Sequence, residues 1–355
     1  QISNAARVET RGRVLKKLKV LCCIVALCSG NCKVSSDCIK ADPSCSAAAA
    51  GLFYFPFAHN NAGILQWTRL LGVAGVATEA RAVTTDAAGN VYVSGFTDGN
   101  LGGQIRTGTR DLFVVKYDVS GNRQWTRLLG VAAAQTRSYS ITTDAPGNLF
   151  VVGSTAGALD GQSLTGTQDM FLTRYDLNGA RIWTRLLGVA GVGTDARAVA
   201  TDAAGNIYVT GFTDGNLDGQ TKTGNRDLFL TKYDSSGVRM WTRLLGVAPV
   251  DTWGFGIRAD RFGNVFLTGG TAGNLDGQVK TGTYDVHMIK YDANGNRQWT
   301  RLLGVAGVLT EGFGLTLDQS GNAYISGYTD GNLGGETLTG TRDLFLIKYD
   351  SRGVR

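Results

Sequence analysis

Short stretches of alternating hydrophobic and polar residues run along most of this chain, and none of them follows a helical period. In one copy of the pattern, residues 82–85, 90–94, 111–117 and 124–129 are rich in Val, Phe, Tyr, Leu and Thr. Segments rich in Asp, Asn and Gly separate the four runs. Alternation of this kind, bounded by turn-forming residues, predicts four consecutive antiparallel β-strands.

The same arrangement returns at a fixed interval. The motif W-T-R-L-L-G-V-A begins at Trp67 and again at Trp125, an interval of 125 − 67 = 58 residues. A fixed period of this size predicts one supersecondary unit stacked several times. Four antiparallel strands are the content of one β-propeller blade. The remaining copies of the motif begin at Trp183, Trp241 and Trp299.

Three patterns recur within the copies: D-x-x-G-N-x-Y-V-x-G, then D-x-F-x-x-K-Y-D, then G-x-x-x-W. Together they resemble the bacterial β-propeller repeats known as SBBP repeats, over about residues 64–355. The resemblance implies a propeller of five repeats and no settled activity, because that family is defined by its fold. Local departures are Gln168 and Tyr284, which replace an arginine, and His287, which replaces a phenylalanine and which we expect to be half-buried.

The two ends of the repeat region predict how the propeller closes. The region opens on a segment of the fourth-strand type, Trp67–Leu71, and its last strand, Asp343–Tyr349, is of the third type. Pairing of these two segments would give five complete four-stranded antiparallel blades and leave no raw sheet edge. We therefore expect an all-β, five-bladed propeller closed by the Trp67 strand. The alternative is a piece of a longer repeat array.

The positive charge of the chain is concentrated before the repeats. Residues 1–31 carry six Lys/Arg and one Glu, a net charge of +5, so the remainder carries 6 − 5 = +1. A nearly neutral repeat region lacks the basic stripe that phosphate binding requires, and we expect no nucleic-acid partner.

The amino-terminal residues predict export. A basic stretch (Arg11–Lys19) precedes a short apolar run (Val20–Cys28), which is typical of a signal peptide and too short for a membrane span. Ser29-Gly30-Asn31 and Cys32 then resemble a bacterial lipoprotein signal, in which that cysteine is lipidated. We interpret residues 1–31 as the signal segment. Val14 offers another start, which would leave residues 1–13 untranslated.

Residues 32–63 are then predicted to be a lipid-anchored tether and lead-in to the propeller. Cys38 and Cys45 are candidates for a disulfide in an oxidising compartment. The predicted location is the bacterial cell envelope, where the protein would be an outer-membrane or cell-surface lipoprotein that contacts the membrane through its anchor only. Two alternatives stay open: Cys28 as the lipidated residue, and plain secretion without an anchor.

Candidate ligand-binding residues come from the positions at which the copies differ most. These positions lie just before the first strand, next to the long loops, and should surround the mouth of the central channel. A ring of carboxylates, arginines and aromatic residues there could hold a sugar, a peptide or a small polar ligand. Unconstrained surface drift is the alternative. The ten residues are Glu79, Arg81, Arg137, Tyr139, Asp195, Arg197, Trp253, Phe255, Glu311 and Phe313.

A second candidate site is a calcium loop in the third copy. Asp214, Asn216 and Asp218 stand in D-G-N-L-D-G, which fits the opening of a calcium-binding loop. Position twelve of that loop is Asn225 rather than Glu, so turn formation explains the motif equally. We expect no other cofactor, because all six cysteines precede residue 46 and the only histidines are His59 and His287.

These features favour a binding or interaction scaffold whose partner is an extracellular or envelope protein, a peptide or a glycan. We do not expect an enzyme. A glycan-active hydrolase or lyase with its site in the channel is the alternative, and it would use Glu79, Asp195 and Glu311 as acid and base. A plain secreted, calcium-stabilised propeller is the third hypothesis. Of the residues repeated in every copy, we expect Asp86 to cap its hairpin turn and Trp67 to pack on the sheet.

Overall fold

The computed structural model of the protein describes residues 65–355, which contain nineteen β-strands and no α-helix. Within this range there is consequently no helix of the length and apolarity that crossing a membrane requires. Trp67–Arg355 form one compact unit. The predicted signal segment, the tether, Cys32, Cys38 and Cys45 lie outside the described residues.

Each repeat contributes its strands in the same order. The first strands are Thr78–Thr85 (β1), Thr136–Thr143 (β5), Thr194–Thr201 (β9), Thr252–Ala259 (β13) and Thr310–Leu317 (β17). The second strands are Val91–Thr97 (β2), Leu149–Thr155 (β6), Ile207–Thr213 (β10), Val265–Thr271 (β14) and Ala323–Thr329 (β18). The third strands are Asp111–Tyr117 (β3), Asp169–Tyr175 (β7), Asp227–Tyr233 (β11), Asp285–Tyr291 (β15) and Asp343–Tyr349 (β19). The fourth strands are Arg123–Leu129 (β4), Arg181–Leu187 (β8), Arg239–Leu245 (β12) and Arg297–Leu303 (β16).

Consecutive strands pair antiparallel, so that each repeat forms one meandering sheet. Blades 1 to 4 are the four-stranded sheets β1–β4, β5–β8, β9–β12 and β13–β16, and blade 5 is the three-stranded sheet β17–β19. The predicted all-β propeller architecture, with one sheet for each repeat, is confirmed.

The tight turns explain the D-x-x-G-N part of the repeat. The Asp86 carboxylate accepts hydrogen bonds from the backbone N–H groups of Ala88 and Asn90, at 3.0 and 2.9 Å, and from the Tyr92 hydroxyl at 2.9 Å. Gly89 has a φ of 80°, which glycine adopts without steric cost. The predicted capping role of Asp86 is confirmed.

The hydrophobic core lies between neighbouring blades rather than inside any one of them. Leu112 and Val114 of blade 1, for example, are buried in one cluster with Leu149 and Val151 of blade 2. Equivalent clusters join blade 2 to blade 3, blade 3 to blade 4, and blade 4 to blade 5. Each blade is therefore stabilised mainly by its neighbours, as in other repeat architectures.

The W-T-R motif joins each blade to the next. Trp125 donates from Nε1 to the Leu177 carbonyl oxygen at 3.3 Å, and Arg127 donates from Nε to the Gly179 carbonyl oxygen at 2.8 Å. A Cβ atom at Gly179 would lie 3.0 Å from the Trp125 ring, so glycine lets the two pack closely. The tryptophan therefore packs on structure, as predicted, and Trp67 makes the same contact with the Val119 carbonyl oxygen at 3.3 Å.

The structure does not show the predicted closing pair. Residues 65–72 form no strand, and blade 5 ends at β19. The face of β19 is open as well: Leu344 and Leu346 are 84% and 70% exposed, whereas the equivalent Leu112 and Val114 are 0% exposed. Nothing among the described residues covers this face of blade 5, while the Trp67 segment makes the contact with the turn of blade 1 that each fourth strand makes with the next blade.

Candidate functional site

The first strands of all five blades line one central cavity of about 530 Å³. This volume is in the range of small-molecule binding sites. Five of the ten predicted ligand residues lie in its wall, one from each blade: Arg81, Tyr139, Arg197, Phe255 and Phe313.

Each of these five residues is the extra residue of a β-bulge. In blade 1, Ala80 pairs with Gly95 and Ala82 pairs with Ser94, so Arg81 has no partner across the ladder. The same shift occurs in the first strand of every other blade. A bulge redirects a side chain and occurs often beside functional sites. The backbone therefore presents a different side chain from each blade at an equivalent point of the cavity.

A glycine on the second strand makes room for each bulge. A Cβ atom at Gly95 would lie 1.9 Å from the Glu79 carbonyl oxygen, and the other four blades show the same distance at the same place. No side chain fits there without moving backbone. This glycine is the last residue of the D-x-x-G-N-x-Y-V-x-G pattern, and a glycine inside a strand often marks a bulge. The glycines of the other blades are Gly153, Gly211, Gly269 and Gly327.

The other five predicted residues do not line the cavity and form a rim beside it. Glu79 forms an ion pair with Arg81, with 2.7 Å between Oε2 and Nη2. Arg137 donates to Gln135 at 2.6 Å. Glu311 accepts a hydrogen bond from the Tyr328 hydroxyl at 2.8 Å. Neighbouring side chains thus position these three rim residues beside the cavity.

Asp195 is a buried rim carboxylate with a raised pKa. It is 6% exposed, and burial raises the pKa of its carboxyl because the charged form loses water. Arg197 and Gln168 oppose this effect through contacts to Oδ2 at 3.1 and 3.0 Å. Its Oδ1 has no hydrogen-bond partner within the described structure. Asp195 therefore holds a proton more readily than an ordinary aspartate.

Blades 4 and 5 give the mouth an aromatic side. Tyr284 stacks on Trp253 with ring centroids 5.1 Å apart, and Trp253 lies 6.0 Å from Phe255. Phe255 then stacks on Phe313 at 5.1 Å, and Phe313 on Tyr328 at 5.5 Å. The result is a continuous row of five rings. Across the mouth the first three blades supply arginines instead, so the ring is chemically two-sided.

The long loops of blades 1, 3 and 5 share a three-residue stack that the sequence analysis missed. In blade 1, Arg110 forms a two-bond ion pair with Asp98, at 2.6 and 2.7 Å, and lies 4.4 Å from the Phe96 ring centroid. Blades 3 and 5 repeat it with Phe212, Asp214 and Arg226 and with Tyr328, Asp330 and Arg342. Blades 2 and 4 replace all three residues, with Ser154, Ala156 and Gln168 and with Gly270, Ala272 and Tyr284.

This stack changes the interpretation of the predicted calcium loop. Asp214 pairs with Arg226 at 2.8 Å, and Asp218 pairs with Arg239. The Asn216 side-chain oxygen accepts from the Lys222 backbone N–H at 2.9 Å. In the part of the chain that the structure describes, no three His, Cys, Asp or Glu residues gather as metal ligands would. The three predicted ligands are therefore held apart by partners of their own.

His287 is buried completely, rather than half-buried as its sequence context predicted. Its Nε2 lies 2.7 Å from the Trp253 carbonyl oxygen, next to the bulge at Phe255. Its Nδ1 has no partner among the described residues. Burial lowers the pKa of His287 to about 4, so the ring is neutral at physiological pH and donates from Nε2.

Two curated proteins are similar to parts of this chain. The regulatory protein FlaEY of Caulobacter vibrioides is 31% identical over 200 residues, which cover 50% of this chain and 21% of that protein. An uncharacterized WD repeat-containing protein of Acanthamoeba polyphaga mimivirus is 25% identical over 330 residues, covering 68% of this chain and 23% of that protein. The chain thus spans less than a quarter of the length of either relative.

Among solved structures, a protein of unknown function from Bacteroides caccae matches with a TM-score of 0.43 and 13% identity, covering 79% of this chain and 81% of that one. A gluconolactonase from Xanthomonas campestris matches with a TM-score of 0.40 and 14% identity, covering 76% and 72%. A lignostilbene dioxygenase from Pseudomonas brassicacearum has a TM-score of 0.42 and 14% identity, covering 76% and 60%.

The repeats themselves match a family described as a beta-propeller repeat, SBBP. Five segments match its model, at residues 66–102, 124–159, 182–218, 241–276 and 298–334. Each segment runs from the W-T-R motif through the first two strands of a blade to the D-G-N type loop. Together they cover about half of the chain, and the protein is a member of the SBBP beta-propeller repeat family.

Proposed function

We propose that this protein is a binding protein of the bacterial cell envelope, and that its central cavity and rim hold a sugar, a peptide or a small polar ligand. One observation carries the proposal: five bulges deliver five side chains of differing chemistry into a single cavity. The delivering backbone, with its strand glycine, is the same in every blade.

Unconstrained drift accounts poorly for this arrangement. Drift would vary exposed positions wherever they occur, without regard to the backbone beneath them. The varied residues of the cavity wall instead occupy one bulge in each blade, and the glycine that permits it is present in all five copies. A frame kept constant around varied side chains is typical of recognition sites on rigid scaffolds.

The cellular location of the protein is a second part of the proposal. The order of a basic stretch, a short apolar run, small residues and Cys32 supports export followed by lipid anchoring. Radiolabelled palmitate should enter the protein in a bacterial host, and Cys32→Ala should abolish the labelling. Labelling that persists in this variant, or that is absent from the natural protein, would contradict the anchor.

A binding screen of the full chain against glycans and secreted or envelope proteins tests the function. For any ligand found, Phe313→Ala and Arg197→Ala should weaken binding, because both side chains line the cavity. Val238→Ser changes an exposed residue in the turn between β11 and β12 and serves as the matched control. Binding that is unaffected by both cavity variants would place the ligand elsewhere and refute the proposal.

Asp195 gives the glycan hydrolase alternative one supporting observation, because a general acid requires a raised pKa. A hydrolase also needs a second carboxylate beside it. The other two rim carboxylates have partners of their own: Glu79 pairs with Arg81, and Glu311 accepts from the Tyr328 hydroxyl. Under this alternative Asp195→Asn would abolish turnover of a bound glycan and spare its binding. Under the binding proposal no turnover occurs in either protein.

A further inference from the structure

Arg258 of blade 4 adds a third arginine to the cavity wall, at a position where no other blade carries a charge. It lines the same cavity as Phe255 and follows it by three residues along β13. At about 3.3 Å per residue, this places Arg258 roughly 10 Å further along the strand. The equivalent residues of the other blades are uncharged: Thr84, Thr142, Ala200 and Thr316.

The Arg258 charge has no acidic partner in the described structure. Its guanidinium donates from Nη1 to the carbonyl oxygen of the adjacent Ile257 at 2.8 Å. By contrast, Arg81 and Arg197 are paired with rim carboxylates. Of the residues that the structure places in the cavity wall, none is an aspartate or a glutamate.

An unpaired cation in this position favours an anionic ligand. The side chain is open to the cavity, yet desolvation by the surrounding protein lowers the pKa of Arg258 from its ordinary value. Arginine nevertheless stays protonated at neutral pH. An unpaired guanidinium in a cavity wall is available to an anionic group, and its planar fork matches a carboxylate through two parallel hydrogen bonds.

Aromatic side chains at the mouth of the cavity provide a second kind of contact for a ligand. Phe313 stacks on both Phe255 and Tyr328 and is still 42% exposed on one side of the mouth, and Tyr139 lies under Arg197 on the other. Aromatic rings at a cavity entrance offer flat apolar surfaces to a ring-shaped ligand. A cavity of about 530 Å³ suits a small ligand, whereas a stable protein contact buries far more surface.

We propose that the cavity binds an acidic disaccharide, with one carboxylate on Arg258 and the neighbouring sugar ring against Phe313. The proposal rests on the binding function above and names its ligand class. Arg258, near the end of β13, would then bind the carboxylate, and the exposed part of Phe313 at the mouth would contact the sugar ring.

The test compares digalacturonate with the corresponding neutral disaccharide, galactobiose, by calorimetry on the full chain. The natural protein should bind digalacturonate at least about 10-fold more tightly, the effect of a hydrogen bond between charged groups. Arg258→Thr should remove this preference. Thr occupies the same position in three other blades, so the variant should fold, and an unchanged melting temperature verifies this. Phe313→Ala should weaken both sugars alike.

The outcomes separate this inference from the broader proposal. Equal binding of the two sugars, or digalacturonate binding that Arg258→Thr leaves intact, overturns the inference while the binding function stands. Binding of an acidic peptide of the same charge, without either sugar, also overturns it. If the screen of glycans and proteins yields no ligand for the cavity, the binding function itself fails.

Discussion

Replacing His287 with phenylalanine should make the stability of the propeller less sensitive to acid. His287 is fully buried, and burial lowers its pKa to about 4, from an ordinary value of 6.5. Between these two values the unfolded chain takes up a proton at His287 that the folded chain does not. Folding stability is therefore fully present above pH 6.5 and is lost progressively as the pH falls towards 4.

The size of this loss follows from the shift. The difference is 6.5 − 4, or about 2.5 pKa units, and each unit corresponds to about 1.4 kcal/mol. His287 should therefore remove about 3 kcal/mol of stability between neutral pH and pH 4. Phenylalanine cannot titrate, and it is the residue that the other blades carry at this position, as Phe113, Phe171, Phe229 and Phe345.

Urea unfolding of the natural protein and of His287→Phe at pH 7.5, 6, 5 and 4.5 measures the effect. At pH 7.5 the variant loses the hydrogen bond to the Trp253 carbonyl oxygen, worth about 1 kcal/mol, and gains apolar burial that offsets it. The diagnostic quantity is consequently the change in the stability difference with pH. The aspartates are common to both proteins and cancel in that difference.

Phe229→His provides the reciprocal control, because it places a histidine at the equivalent buried position of blade 3. It should make the protein more sensitive to acid than the natural chain. A stability difference between the natural protein and His287→Phe that stays constant from pH 7.5 to 4.5 would refute the argument from burial.

Three further outcomes are expected. Gly211→Ala should cost more than about 2 kcal/mol of stability, because the new Cβ would lie 1.9 Å from the Asp195 carbonyl oxygen, whereas Ser235→Ala, at an exposed turn, should change it little. If the propeller closes as predicted, Thr68 and Ile347 would be cross-strand partners, as the equivalent Thr126 and Val115 are in blade 1. Cysteines at these two positions should then form a disulfide within one chain. Disulfide-linked dimers of differently tagged chains would show closure between copies instead. Addition of a chelator should leave the melting temperature unchanged, because Asp214 already pairs with Arg226. A lower melting temperature with chelator would support calcium binding in this loop.

The repeat period predicted the strands and turns of each blade well, because local contacts determine them. The D-x-x-G-N turn needs only a carboxylate at Asp86, a glycine that tolerates positive φ and the backbone between them. Each of these lies within a few residues of the others, so a single copy of the repeat contains the whole explanation. Five copies then fixed the number of blades.

Closure was harder to predict for a physical reason. A repeat specifies how one blade sits on the next, but the small rotation between blades decides whether the ends of the series meet. No residue of the motif determines the total rotation over the five blades. The exposed Leu344 and Leu346 show that, among residues 65–355, no neighbour covers the face of blade 5 whose counterparts in blades 1 to 4 are covered.

The bulge and the loop stack left signals that were visible in the sequence. Gly95 and its copies stand inside strands, where glycine weakens a sheet unless the backbone needs the space. The copies that lack an acid at the Asp98 position also lack the arginine at the Arg110 position. This joint replacement indicates an ion pair, and it explains Asp214 without calcium.

The same alternation accounts for the asymmetry of the candidate site. Where the Asp–Arg stack is absent, in blades 2 and 4, the residue in place of the arginine is free to reach the rim. Gln168 donates to Asp195 at 3.0 Å, and Tyr284 stacks on Trp253 at 5.1 Å. The first contact positions the buried Asp195 carboxylate, and the second makes Tyr284 the first ring of the aromatic row. Two loop substitutions therefore turn a nearly five-fold symmetric frame into a mouth with one polar and one aromatic side, which a single small ligand can bind in one orientation.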